Sequence, residues 1–313
     1  MKDLGLIDAH VHLWRTTAQE LAALPLPGRR DADRWGTPEG AIRMMDRCGI
    51  ARLVFLNVLP TVEMIEAGLS KLSPEADARA RSEAEGRLRQ DMIERVRRQN
   101  AWACDVGAAN ERLVPFVGIQ KLLGADTAVE EVRVGRERGA KGVKIQPGMN
   151  MFLPTDRELW PAYEEAERLR LPILTDSGTY GRLAPDGRHF GEPANFVEVL
   201  ESFPRLTLVM AHFGSAYWDQ RVDLALRYPN LCFDISGGFG SPGLEVRDGP
   251  RALSERDAPG LLRKVGIERF MFGTDGPAVL PGPYIEQVRR LALTEPEKHM
   301  LLSENALRHY AIK

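Results

Sequence analysis

Short, nearly continuous apolar runs recur eight times along this chain, with helix-spaced segments between them. The runs are LGLIDAH (4–10), ARLVFLN (51–57), RLVPFVGI (112–119), AKGVKIQ (140–146), LPILTD (171–176), RLTLVMAH (205–212), NLCFDIS (230–236) and RFMFGTD (269–275). Runs rich in Val, Ile, Leu and Phe on every position belong to strands buried on both faces, as in parallel sheets covered by helices. Segments such as DTAVEEVRVGRERG and DRELWPAYEEAERLR carry apolar residues at helical spacing,. Eight such βα repeats predict an α/β fold, a closed (β/α)8 barrel rather than an open sheet.

One long departure follows the second run. Residues 60–110 contain SPEADARARSEAEGRLRQDMIERVRRQN, a polar helical excursion that Met92, Ile93 and Val96 would dock on the barrel. It has too few apolar residues for a core of its own, so residues 1–313 read as one barrel domain. A net charge of −2 gives no general attraction to nucleic acid or anionic membrane,. No run of about 18–20 apolar residues could span a bilayer. The cysteines, Cys48, Cys104 and Cys232, are odd in number and lack metal-type spacing, and the N-terminus has charges where a leader would be apolar. A reducing, cytoplasmic setting is expected, with homo-oligomerisation left open.

In a parallel barrel the carboxyl ends of the strands converge on one cavity. The polar residues at those ends are His10 and His12, Asn57, Lys144, Asp176, His212, Asp234 with Ser236, and Asp275. His10 and His12 stand at i and i+2 on a strand, which points both imidazoles to one side, where they can share a metal ion. The competing reading is two histidines exposed in a turn. Asp275 ends the eighth strand, adjacent to the first in a closed barrel, so it can ligate the ion or accept a proton from water. Its competing reading is the cap of a Gly-Pro turn. His212 ends the sixth strand, where it could polarise a carbonyl, stabilise developing charge, or be a satisfied core histidine.

IDAHVHLW, MAHFG and FGTDGP, in this order, resemble the first-, sixth- and eighth-strand motifs of the amidohydrolase superfamily, in particular its amidohydrolase-related branch of hydrolases, lactonases and decarboxylases. Weaker similarities in RLVPFVG, GVKIQP, PNLCFDISG and LSENALRHY extend the resemblance over essentially the whole chain. It implies His10 and His12 as metal ligands, His212 as a catalytic or metal-site residue, and Asp275 as ligand and proton acceptor. The chain departs from the pattern at Asp176, where such proteins commonly carry a histidine. Asp176 is expected to be a further ligand or to contact the ion's water, and a set of imidazoles and carboxylates suits one Zn²⁺, with Mn²⁺ the alternative.

In some members of the superfamily a fourth-strand lysine is carboxylated and bridges two metals. Such a pair also needs histidines from the fifth and sixth strands, and here only His212 is present. Lys144 is therefore expected to bind a substrate carboxylate or to pair with Asp176. Trp14, Arg182 and Asn57 complete the expected substrate-binding set. The resulting expectation is a mononuclear metal-dependent hydrolase of an ester, lactone or amide bond in a small carboxylated substrate. Its rivals are a decarboxylase of an aromatic or unsaturated acid, and a barrel that binds without catalysing.

Overall fold

The computed structural model describes residues 5–26, 34–237 and 253–312. Its strands are β1 (Leu6–Val11), β2 (Ile50–Leu56), β3 (Leu113–Gly118), β4 (Gly142–Ile145), β5 (Ile173–Thr175), β6 (Leu208–Met210), β7 (Leu231–Asp234) and β8 (Phe270–Met271). They form one sheet in sequential order, each paired in parallel with the next. Just past β8 the chain bonds back to β1. Ala9 N–H donates to the Phe272 carbonyl (2.8 Å), Asp275 N–H to the His10 carbonyl (2.8 Å) and His12 N–H to the Gly276 carbonyl (2.7 Å). The eight expected strands are all present, and the expected barrel architecture is observed. Its seam runs through residues of the candidate site. A Cβ on Gly273 would lie 2.7 Å from that of His10, so glycine there lets β8 come close to β1,.

The two faces of the strands serve two cores, as a period of two requires. Ile7, Val54, Phe116, Leu174, Val209 and Met271 fill the interior together with Tyr310 from the C-terminal segment. Leu53, Phe55, Val143, Ile173, Phe233 and Phe270 pack outward against the helices. Lys144, Asp176 and Asp234 continue the inner rows of β4, β5 and β7. Each is almost wholly buried. In β1 the pairing register shifts between Asp8 and Val11. His10 lies within this irregularity and His12 just past it, and their ring centroids are 5.3 Å apart.

The excursion after β2 comprises helices Thr61–Leu69 and Ala78–Ala109. Met92 and Val96 are buried and Ile93 packs against the core, as expected. A polar lock adds to this. The Asn100 side chain accepts from Gly118 N–H (2.8 Å) and donates to the Gly118 carbonyl (2.9 Å), while also meeting Asn57 (2.5 Å) and Glu131 (2.8 Å). The long helix is thereby fixed to the end of β3. No helix among the described residues is long and apolar enough to cross a membrane.

Candidate metal centre

Three imidazoles meet at the barrel mouth, each oriented through its Nδ1. His10 Nδ1 lies 2.7 Å from Asp234 Oδ2, His12 Nδ1 lies 3.2 Å from the Leu56 carbonyl, and His212 Nδ1 lies 3.0 Å from the Ser236 carbonyl. A carbonyl or carboxylate only accepts, so each Nδ1 carries the proton and each neutral ring presents its Nε2 lone pair to the cavity. Asp275 Oδ1 stands 3.4 Å from Nε2 of both His10 and His12. Lone pairs and a carboxylate oxygen facing one another repel unless a cation or proton lies between them. Among the described residues, His10 Nε2 is buried with no hydrogen-bond partner, and leaving such an atom unsatisfied costs about 1–3 kcal/mol. Ligand atoms of His10, His212 and Asp275 all lie within 4.8 Å of one another. This donor set fits a divalent metal ion.

His212 and Asp275 both adopt left-handed backbone angles, with φ of 60° each. Non-glycine residues rarely do so, and the conformation turns each side chain back over the end of its strand. Asp234 organises the floor of the site. Besides His10, it accepts from His212 N–H (3.1 Å), Ser236 N–H (3.0 Å) and the Ser236 hydroxyl. Burial would raise its pKa, but His10, His212 and Ser236 outweigh burial and hold it below the ordinary carboxylate range,. Burial lowers His10 to about 4, against the pull of Asp234 and Asp275, which keeps the ring neutral and able to ligate. Asp8, deeper in β1, is pushed up to about 7 by burial, although Thr274 donates to it through both N–H (2.9 Å) and hydroxyl (2.7 Å).

The other expected residues divide. Asp176 is buried, with Oδ1 3.6 Å from His212 Nε2, beside the three-donor group rather than in it. Among the described residues it forms no ion pair with Lys144, whose ammonium is also buried and whose pKa burial lowers against Asp176, Asp234 and Asp275. Trp14 lies against the site, its ring centroid 6.5 Å from that of His12. Asn57 is committed to Asn100. Arg182 is exposed and engaged by Glu66 on the first excursion helix.

Arg221 had no place in the sequence reading. Fully buried, it donates to Ser177 Oγ (3.1 Å), the Ser177 carbonyl, and the carbonyls of Phe213 (3.3 Å) and Ala216 (2.6 Å). It ties the loop carrying Asp176 to the loop carrying His212. No local pattern marks such a residue, because its partners are mainly backbone carbonyls and, in Ser177, a residue 44 positions away.

Comparison with known proteins agrees with this arrangement. Residues 7–312 match the family model described as amidohydrolase. The fold is similar to that of 5-carboxyvanillate decarboxylase from Sphingomonas paucimobilis (17% identity, 99% of this chain and 100% of that one covered, TM-score 0.67). It is similar also to 2,6-dihydroxybenzoate decarboxylase from Rhizobium (16% identity, 98% of each chain, TM-score 0.67). A third similar structure is 5-carboxyvanillate decarboxylase from Novosphingobium aromaticivorans, complexed with manganese and 4-hydroxy-3-methoxy-5-nitrobenzoic acid (15% identity, 98% of this chain and 96% of that one, TM-score 0.64). With the family model matched over nearly its full length on the observed barrel, the chain belongs to the amidohydrolase family of metal-dependent enzymes.

Proposed function

We propose that this chain is a hydrolase of an ester, lactone or amide bond that works with one divalent ion, zinc by its nitrogen-rich ligand set, held by His10, His12, His212 and Asp275 with Asp176 beside them. The observation that carries this reading is the orientation of the imidazoles. All three direct their Nδ1 protons away from the cavity, so the site offers lone pairs and a partly exposed carboxylate. These are proton acceptors, which hydrolysis needs in order to activate water. When bound, the ion supplies Lewis acidity toward a carbonyl and toward water. Asp275 takes a proton from the attacking water, whose oxygen bonds to the carbonyl carbon. The carbon–heteroatom bond then breaks, and Asp275 returns the proton to the leaving oxygen or nitrogen. His212, with its Nδ1 proton held by Ser236, acts through its lone pair as ligand or base rather than as a donor to the carbonyl. Lys144, buried on the inner row without a partner among the described residues, binds a carboxylate of the substrate.

Decarboxylation is the second reading, favoured by the activities of the similarly folded enzymes above. That chemistry replaces a carboxylate on carbon with a proton, so an acid is required, and Lys144 is the inner-row group able to act as one. Manganese, bound in the Novosphingobium structure, is the matching alternative ion. Protein loaded with either metal should be assayed against carboxylated aryl esters, lactones and amides, and against hydroxylated benzoic acids. Titration of released acid and detection of CO2 serve as the two readouts. Chelator-sensitive acid release is expected. CO2 release without cleavage of any ester, lactone or amide would replace the hydrolase reading with the decarboxylase one. Metal binding with neither product would leave a barrel that only binds.

A further inference from the structure

The site opens on one side into a cavity of about 490 Å³, bounded by the loop after β1, the loop after β2 and the long helix Ala78–Ala109. Ligand pockets for small molecules typically span about 300–1,000 Å³, so this one has room for a substrate reaching beyond the metal donors. At its inner end stands His12. Trp14, Leu59 and Met64 give it an apolar wall, and Arg15, Arg95 and Arg98 line it, with no carboxylate among the described residues that line it. In a chain of net charge −2 this is a local excess of positive charge,.

The three arginines are not equivalent. Arg15 is engaged: it donates to the Arg98 carbonyl (2.8 Å) and lies over the Trp102 ring, 5.6 Å from its centroid. The guanidinium groups of Arg95 and Arg98 have no hydrogen bond or ion pair among the described residues. They stand three residues apart and so share a helix face. That face is held in place by Asn100, two residues beyond Arg98, through its paired bonds to Gly118. A rigid helix thus presents two unpaired guanidinium groups to a cavity that leads to the metal donors.

We infer that Arg95 and Arg98 form a distal subsite for a carboxylate at the end of the substrate away from the reacting bond, with the body of the substrate along Trp14. This assignment rests on the metal-centre reading above and adds to it which residues select the substrate. The excursion, by sequence a solvated helix, then contributes specificity. Guanidinium–carboxylate bonds are charge-assisted and geometrically selective.

The test separates this subsite from the chemistry. Binding of isophthalate and terephthalate to the metal-loaded protein, each against its monoamide, is measured by calorimetry. At least one dicarboxylate should bind about ten- to a hundredfold tighter than its monoamide. In the Arg95→Gln/Arg98→Gln double variant this preference should vanish, with metal content and melting temperature unchanged; Gln is chosen because it keeps helix propensity close to that of Arg. If neither dicarboxylate is preferred by the wild type, or the double variant keeps the preference, the subsite is wrong. Because binding is read without turnover, a preference lost in the variant upholds the subsite even if no hydrolysis is ever found. Hydrolysis found with the preference absent upholds the metal centre alone.

Discussion

The two sides of the barrel mouth are built differently. On the β6–β7–β8–β1 side each imidazole proposed as a ligand is fixed by a second bond, His10 by Asp234, His12 by the Leu56 carbonyl and His212 by Ser236, and the backbone of Asp275 is held by its N–H to the His10 carbonyl. On the β4–β5 side Lys144 has no partner among the described residues, and Asp176 meets only a long contact from Gly178 N–H (3.5 Å) and His212 at 3.6 Å. Groups held from behind keep their geometry whether or not an ion is present. Groups without such support must find their partners in what binds. The first side is therefore suited to hold a metal ion, and the second to meet the substrate or complete the ion's shell.

The largest effects should come from the supported side. His10→Ala removes the one buried, unpartnered nitrogen of the cluster, and metal content after dialysis should fall from about one equivalent per chain toward zero. Asp275→Asn keeps an oxygen donor and removes the proton acceptor. Part of the metal should be retained while kcat falls by about 10²-fold or more. Wild-type turnover in Asp275→Asn would overturn the role given to this carboxylate, and undiminished metal in His10→Ala would overturn the ligand set.

A subtler break acts behind the ligands. Asp234→Asn can present an amide N–H toward His10 Nδ1, which favours the tautomer protonated on Nε2 and blocks the lone pair. Metal affinity should weaken by about 10–100-fold, the usual scale for an outer partner of a ligating histidine. Competition with a chelator of known affinity measures it. If affinity is unchanged, His10 is not oriented by Asp234 and the contrast between the two sides loses its basis.

The same contrast explains what could be read from the sequence. Strand positions were legible because burial on both faces leaves uninterrupted apolar runs, and the histidine pair because i, i+2 spacing on a strand fixes a common side. Asp234 was visible as a polar strand end, but its role was not, since that depends on His10, 224 residues away. Arg182 suggested a substrate contact by its place in a loop, yet Glu66, 116 residues away, engages it. Asn100 and Arg221 bind backbone atoms, which leave no trace in residue type. Local periodicity encodes the elements, whereas the supports behind the ligands are long-range pairings without a pattern.

The smallest effects, and the most informative for the unsupported side, concern Asp176. Its carboxylate lies on the inner row of β5, and the loop beyond closes around it: a Cβ on Gly191 would come within 3.2 Å of Asp176 Oδ2. Asp176→Ala should weaken metal binding by roughly tenfold if the carboxylate completes the ion's shell. Asp176→His tests the same point in reverse. The imidazole restores a donor, so metal content should recover, but the larger ring must displace the Gly191 loop, so melting temperature should fall. Lys144→Met provides the control, since an ammonium that meets substrate rather than Asp176 should raise KM for a carboxylated substrate and leave metal content alone. If Asp176→Ala instead leaves metal affinity intact, and Lys144→Met changes KM only when Asp176 is present, the two residues act as a pair toward substrate. The unsupported side would then belong to the substrate entirely, and the shell of the ion would be closed by the three histidines and Asp275.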